Sequence, residues 1–323
     1  MRKEIGGYIE FEHYSGMQFH ENAVKLNCAR NCLAYLIQVH EIKKIYIPYF
    51  LCDSIWKTCK RYGVDFSFYH ITEDFQPIIP DGDFEKDWLY VVNYYGQISN
   101  DDLKRLHATI PNLIVDNVQA FFQMPVENIS TIYSCRKFFG VPDGAYLYTD
   151  KLLLNPIEMG YSYNRMGFLL GRFEKTANEF YAQFRANDDS FEEEPIKLMS
   201  LLTENLLCSL NYKKIAEQRT QNFLLLHEKL KTLNKLRLEN PYGAFSYPLL
   251  IEKGCELRSY LQKQNVYIPT LWSDVFGLLD EKSLECKYSK NILPLPIDQR
   301  YGEEEMIFLV NKIVENVAYE RKQ

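Results

Sequence analysis

A chain of 323 residues is longer than one small core requires and suits one large α/β domain with a smaller companion. With 46% apolar and 25% charged residues it reads as a soluble globular chain, not a disordered one. A formal net charge of −6 without a long basic run argues against nucleic acid as a partner, and no apolar run reaches the length of a membrane span. The opening MRKEIGGYIEFEHY has no apolar signal core, so a cytoplasmic location is expected. Eight scattered cysteines without a CxxC pair suit free thiols in a reducing compartment, and the six histidines show no ligand spacing, so no metal site is expected.

Residues 1–22 are punctuated by Gly6, Gly7 and Gly16 and read as an irregular arm whose Tyr8, Phe11, Tyr14 and Phe19 could dock on a larger body. The stretch LNCARNCLAYLIQVH (26–40) predicts an apolar helix with its N-cap at Asn27 or Cys28. KKIYIPYF (43–50) is a strand stopped by Pro48, and CDSIWKTCKRYG (52–63) a helix ending in basic residues and Gly63. VDFSFYHI (64–71) and the almost wholly apolar WLYVVNYYG (88–96) are further strands, and SNDDLKRLHATIP (99–111) is a capped helix with a proline stop. LIVD (113–116) and TIYS (131–134) are short buried strands, and residues 144–149 return as a strand marked by Gly144. Strands alternating with helices predict a mostly parallel sheet with helices on both faces, and ligands bind beyond the C-terminal strand ends of such sheets.

Residues 169–186 and 195–233 carry apolar residues at helical spacing, and the acidic NDDSFEEE (187–194) between them reads as a solvated loop. The remainder is mixed. Strands are predicted at 242–252, 266–270 and 290–297, and helices at 254–265 and 303–320. The expected division is a large domain over 1–235 and a small α+β domain over 236–323.

Two strand ends carry the chemistry. Asp116 closes LIVD, and Lys137 lies in the turn after TIYS. Alone, Asp116 reads more readily as an N-cap than as a catalytic acid, and Lys137 as a solvated surface residue. Together they suit a pyridine-type cofactor, with a buried acid pairing the ring nitrogen and an amine able to bond covalently to the cofactor. Gln119 could reach a ring hydroxyl. Ser134, Arg30 and the backbone of Ala29, Arg30 and Asn31 at a helix N-terminus could receive a phosphate.

In this order, YGQ (95–97), the D-x-x-Q of VDNVQAFF, the serine and lysine of YSCRK, the DG of VPDGAYL, GYSYNRM (160–166) and LPLPIDQRY (293–301) resemble the DegT-type sugar aminotransferases. The resemblance spans most of the chain. It implies the fold type I architecture of pyridoxal phosphate-dependent transferases with a small C-terminal α+β domain, and pyridoxal 5′-phosphate as cofactor. It implies Lys137 as the catalytic lysine, Asp116 on the pyridine nitrogen, Gln119 on the phenolic oxygen, and Ala29, Arg30 and Ser134 at the phosphate. Asn164 or Arg165 would reach into a neighbouring subunit's phosphate site, which implies a homodimer with shared active sites. The implied reaction moves an amino group from glutamate to a keto sugar, nucleotide-linked, in bacterial surface-polysaccharide synthesis.

This sequence departs from the family at several points. Ala29-Arg30 replaces the usual Gly-Thr, and the gap from Ser134 to Lys137 is shortened. Ser162 stands where an asparagine is usual, with Asn164 as its substitute. Cys52 falls near the aromatic that stacks on the cofactor ring, so Tyr49 or Phe50 would have to serve. Trp272 falls where the small domain faces the site. Two other readings remain at this stage. A sugar dehydratase of the same scaffold would carry histidine in place of Lys137. A non-catalytic relative would bind a sugar nucleotide or a partner.

Overall fold

A computed structural model describes residues 5–320. The first four residues of the expected N-terminal arm, and residues 321–323, lie outside the described residues.

The central sheet has seven strands: β1 (Val24–Leu26), β2 (Lys44–Pro48), β3 (Asp65–Tyr69), β4 (Trp88–Val92), β5 (Leu113–Asp116), β6 (Ser130–Ser134) and β7 (Ala145–Tyr148). Their order is β1-β7-β6-β5-β4-β2-β3. The pairs from β3 through β6 are parallel, and β7 runs antiparallel to both β6 and β1. The parallel part therefore sends β2, β4, β5 and β6 to one edge, where the candidate residues follow them.

Side-chain alternation loads both faces. On β6, Ile132 enters one apolar cluster and Tyr133 another, and on β7 Ala145 and Leu147 separate from Tyr146 in the same way. The first face is covered by α1 (Ala29–Val39), which lies against β6 and β7 and also meets α2 (Asp53–Arg61). The second face is built on Phe121, Phe138, Phe139 and Tyr212. Phe19 of the N-terminal arm docks there, whereas Tyr8, Phe11 and Tyr14 remain exposed. The reason is local. Phe19 adjoins the buried His20, whose ring nitrogens face the Phe121 carbonyl at 2.8 Å and the Tyr148 hydroxyl at 3.2 Å.

Several expected elements are shorter or divided. The apolar run at 88–96 leaves the sheet at Val92 because Tyr95 and Gly96 take φ of 55° and 73°, which no strand tolerates. The helix α3 (Asn100–His107) then begins on a capping box between Ser99 and Asp102. The helical stretch expected at 169–186 is a hairpin of α4 (Gly167–Glu174) and α5 (Ala177–Ser190), packed so closely that a Cβ on Gly171 would lie 2.2 Å from the Phe180 ring. The stretch at 195–233 is also divided. Leu198 bridges in extended form to Leu26 and Met159, and Ser200 then caps α6 (Leu201–Leu207). Asn211 caps α7 (Tyr212–Leu230).

A second, smaller core lies beyond. β8 (Ser246–Leu250) pairs antiparallel with β9 (Ile292–Pro296), and α8 (Gly254–Lys263), α10 (Glu303–Glu320) and the C-terminal half of α7 bury Leu249, Leu257, Leu295, Ile313, Phe223 and Leu226 together. α9 (Leu284–Asn291), capped by Ser283, was not expected, and residues 266–270 form no strand. Among the described residues no helix is long and apolar enough to cross a membrane.

Candidate active site

Four turns meet at the C-terminal edge of the parallel strands. β5 ends on Asp116, which is buried and pairs with Val92, the last residue of β4, on one side and with Ile132 of β6 on the other. Both carboxylate oxygens have protein donors. The Val118 N–H donates to Oδ1 at 2.9 Å and the Tyr90 hydroxyl to Oδ2 at 2.7 Å. Tyr90 reaches it because Val92 pairs with Asp116 in the ladder, and Tyr90, two residues earlier, shares that face. Burial pushes the Asp116 carboxyl above the ordinary carboxylate range, while Tyr90, the Val118 N–H and the Lys137 charge pull it down.

Lys137 closes a 3-10 turn, Cys135–Lys137, directly after β6. Its side chain is exposed and makes no hydrogen bond or ion pair among the described residues. Its charge acts on Asp116 and also on Cys52, the residue before α2. Cys52 is exposed. Its sulfur contacts Ser54 Oγ at 2.7 Å. Neither expected substitute for a stacking ring is free. Tyr49 stacks on Phe68 at 4.8 Å, and Phe50 is buried between Tyr94 and Trp272. Trp272 closes this aromatic cluster from the C-terminal part of the chain.

Gln119 is buried, and its Oε1 accepts the Tyr95 N–H at 2.9 Å, which leaves its amide N–H groups to donate elsewhere. The left-handed backbone of Tyr95 turns that N–H toward Gln119. A cavity of about 580 Å³ opens beside Gln119, lined among others by Gln97, Asn100, Asp101, Glu239 and Tyr242.

The Lys137 turn is tied to the start of α1 through the Asp143-Gly144 pair. The Gly144 N–H donates to Asn27 O at 2.7 Å and its carbonyl accepts the Cys135 N–H at 3.1 Å. Gly144 has φ of 109°, and a Cβ there would sit 3.0 Å from Thr203, so only glycine suits the position. Cys28 begins α1 without a side-chain cap. Ala29 and Arg30 occupy the first turn. Arg30 has no ion pair among the described residues, and neither has the Ser134 hydroxyl a hydrogen-bond partner there.

The remaining expected residues are arranged differently. Asn31 is buried, and its side-chain amide donates to Asn27 Oδ1 at 3.0 Å and to the Pro195 carbonyl at 2.9 Å. Its backbone N–H donates to Cys28 O, so both its donors serve the chain itself. Arg165 grips Glu194 of its own chain with both guanidinium nitrogens at 3.2 Å and lies 4.8 Å over the Phe191 ring. Asn164 is exposed. The acidic stretch at 187–194 is not a solvated loop. Phe191 is fully buried between Arg165 and Arg136, Asp188 accepts from Arg136 at 2.6 Å, Lys57 pairs with Glu192, and Arg61 binds the carbonyls of residues 192–194. Sequence reasoning missed Tyr90, Arg136 and Asp188. Arg136 adjoins Lys137, which was the one signal available for it. The roles of Tyr90 and Asp188 depend on strand register and on the docking of the acidic segment.

A scan against protein-family models finds no match to this chain, and a search of curated proteins finds none either. Solved structures do match. DesV of S. venezuelae, solved in complex with a ketimine intermediate, is 15% identical, covers 91% of this chain and 84% of its own, and superposes with a TM-score of 0.62. A protein of Streptococcus pneumoniae described as a sugar aminotransferase, Spr1654, is 13% identical over 93% of this chain and 88% of its own, with a TM-score of 0.65 in its apo form. It is also solved in PLP and PMP forms. A DegT DnrJ EryC1 StrS aminotransferase from Brucella abortus is 13% identical over 91% of this chain and 85% of its own, with a TM-score of 0.58. At such identities the likeness establishes the fold, which is that of the fold type I aminotransferases.

Proposed function

We propose that this protein is a pyridoxal 5′-phosphate-dependent aminotransferase of the DegT type that moves an amino group from glutamate to a keto sugar. The observation that carries the reading is a buried Asp116 at the end of β5 that feels the charge of Lys137 in the turn after β6, a lysine with no ion pair among the described residues, with buried Gln119 three residues beyond the acid. The shared fold supports it.

The donor set fits the cofactor. Asp116 would hold the pyridine nitrogen, Gln119 would donate to the phenolic oxygen, and Ser134 with the first-turn N–H groups of Ala29 and Arg30 would hold the phosphate. Bound there, pyridoxal phosphate supplies an aldehyde carbon for covalent capture of amines and a ring that withdraws electrons from the substrate Cα. Lys137 Nζ, free of any ion pair among the described residues, would bond to that aldehyde carbon and, once displaced, take up and return the proton at the substrate Cα. Asp116, when ionised, would keep a proton on the ring nitrogen by direct charge pairing. The cavity beside Gln119 carries Asp101, Glu239, Gln97 and Asn100, which suit hydroxyl groups, but neither Asp116 nor Lys137 lines it. A nucleotide-linked sugar and a role in bacterial surface-polysaccharide synthesis in the cytoplasm complete the proposal and rest on the resemblance.

The exposed apolar residues Leu170, Phe173 and Tyr181 of the α4–α5 hairpin would bury against a second copy, giving a homodimer in which Asn164 approaches the partner's site. The rival reading is a binding protein without transaminase activity. It is favoured by one observation, the engagement of Arg165 by Glu194 in its own chain.

Titration of cofactor-loaded protein with glutamate separates the two. The visible absorbance of the bound cofactor should fall with glutamate and return with 2-oxoglutarate. Lys137→Ala should abolish both the covalent absorbance and the response. No absorbance at saturating pyridoxal phosphate would defeat the enzyme reading, and an unchanged band in Lys137→Ala would defeat the lysine assignment.

A further inference from the structure

The basic groups at the phosphate end outnumber the contacts that the proposed function uses. Arg136 lies in the same turn as Ser134 and Lys137, with its side chain 16% exposed, and its Nε is buried with no hydrogen-bond partner. Arg30 and Lys137 have no ion pairs among the described residues, and α1 starts there without a side-chain cap. The charges of Arg136, Lys137 and Arg30 act together on one carboxylate, that of Asp188, and so make a basic cradle in the region of Ser134 and the start of α1.

One carboxylate of the chain already lies in it. Asp188 accepts from Arg136 Nη2 at 2.6 Å. Burial alone would raise the Asp188 carboxyl, but the charges of Arg136, Lys137 and Arg30 outweigh it and hold it below the ordinary value. Asp188 is delivered by a segment tied down at both ends. Asn187 donates to the Pro142 carbonyl at 2.9 Å, Phe191 fills the space between two guanidinium planes, and Arg61 clamps the carbonyls of residues 192–194.

We propose that Arg136 is an anion-binding residue of this site, and that Asp188 stands in for a phosphomonoester on it, so that the segment 187–194 and a phosphate compete for the same guanidinium. A phosphate dianion brings more charge and more acceptor oxygens to the cradle than one carboxylate, and its entry sends Asp188 back to water. Apparent phosphate affinity is lowered by the fraction of molecules in which Asp188 is seated, and anything that unseats the segment raises it. The class of ligand rests on the cofactor reading above, whereas the competition does not.

Calorimetric titration of the full chain with inorganic phosphate, pyridoxal phosphate and phosphate-free pyridoxal tests this. Asp188→Asn keeps the shape and removes the charge, and should tighten inorganic phosphate and pyridoxal phosphate by roughly tenfold while leaving pyridoxal unchanged. Arg61→Gln acts on the segment from outside the cradle and should shift phosphate the same way, by roughly threefold. Arg136→Gln should weaken phosphate by roughly tenfold. Cleavage by a glutamate-specific protease at Glu192 and Glu193 should quicken as phosphate is added to the unsubstituted protein. Phosphate binding no tighter in Asp188→Asn, or a segment protected by phosphate, overturns the proposal. Tighter phosphate binding without any cofactor absorbance keeps the competition and removes the aminotransferase reading. Normal absorbance with unchanged phosphate affinity does the reverse.

Discussion

Tyr90 is the residue whose removal tells most about the acid end of the site. Its hydroxyl stabilises ionised Asp116, and a hydrogen bond to a charged group contributes about 1.5–3 kcal/mol. Tyr90→Phe should therefore push the Asp116 carboxyl further up and lower kcat by roughly 10- to 100-fold, with the acid limb of the pH–rate profile moving to higher pH. The folded carboxyl is already raised, so its contribution to stability is full below the unfolded carboxylate's titration and is lost as pH rises through the folded value. The variant should accordingly melt lower than the unsubstituted protein at neutral pH and converge with it in acid. His20 has the opposite sign. Burial among aromatic rings lowers it to about 4 against an ordinary 6.5. Its contribution is present above pH 6.5 and is lost as pH falls toward 4, by about 3 kcal/mol in total. Chemical denaturation at pH 7 and pH 5 should register that loss, and His20→Phe should flatten it.

Among the elements, α7 carries a second support for the lysine turn. Arg219 is 2% exposed and donates to the carbonyls of Ala244 at 3.1 Å and Phe138 at 3.3 Å and to Gln299 Oε1 at 2.9 Å, with its plane 4.5 Å over the Phe138 ring. Phe138 follows Lys137, and its carbonyl also receives Gln299 Nε2 at 2.9 Å. One buried guanidinium thus joins α7, the entry to β8 and the lysine turn. Arg219→Ala would orphan several carbonyls, and a cost of about 3–5 kcal/mol in urea denaturation is expected. Arg219→Lys should recover less than half of it, because an ammonium cannot match the fork. The late LPLPIDQRY stretch acquires a physical role here, since Gln299 within it braces the turn.

At the scale of the molecule, the exposed apolar face of the α4–α5 hairpin is where the proposed dimer would bury surface. Leu170 is 57% and Phe173 91% exposed, and Phe173→Asp should convert a dimer to a monomer in light scattering while leaving far-ultraviolet dichroism unchanged. A monomer before substitution would remove the dimer proposal. The same scale governs the acidic stretch. Its carboxylates read as solvated because their partners Lys57, Arg136 and Arg165, like Arg61 on its backbone carbonyls, are scattered along the sequence, and only folding brings them together.

The sequence by itself determined the parallel strands and the edge at which the candidate residues lie. Period-two and wholly apolar runs are local signals, and LIVD ended at Asp116 as expected. Ser134 closes β6 and Lys137 lies in the turn after it, as the sequence expected, while the roles assigned to them and to Gln119 belong to the proposal. Tertiary structure alone decided the rest. The division of the helical stretches at Thr176 and Asn211, the end of β4 at Val92 and the absence of a strand at 266–270 were set by caps, left-handed residues and packing partners far along the chain. Tyr90 on Asp116, Arg165 on Glu194 and Asp188 on Arg136 are pairings across 26, 29 and 52 positions. Charge and hydrogen-bonding capacity can be read from a sequence, but a partner at that separation is chosen by the register of a sheet and the docking of a segment, which exist only once the chain has closed on itself.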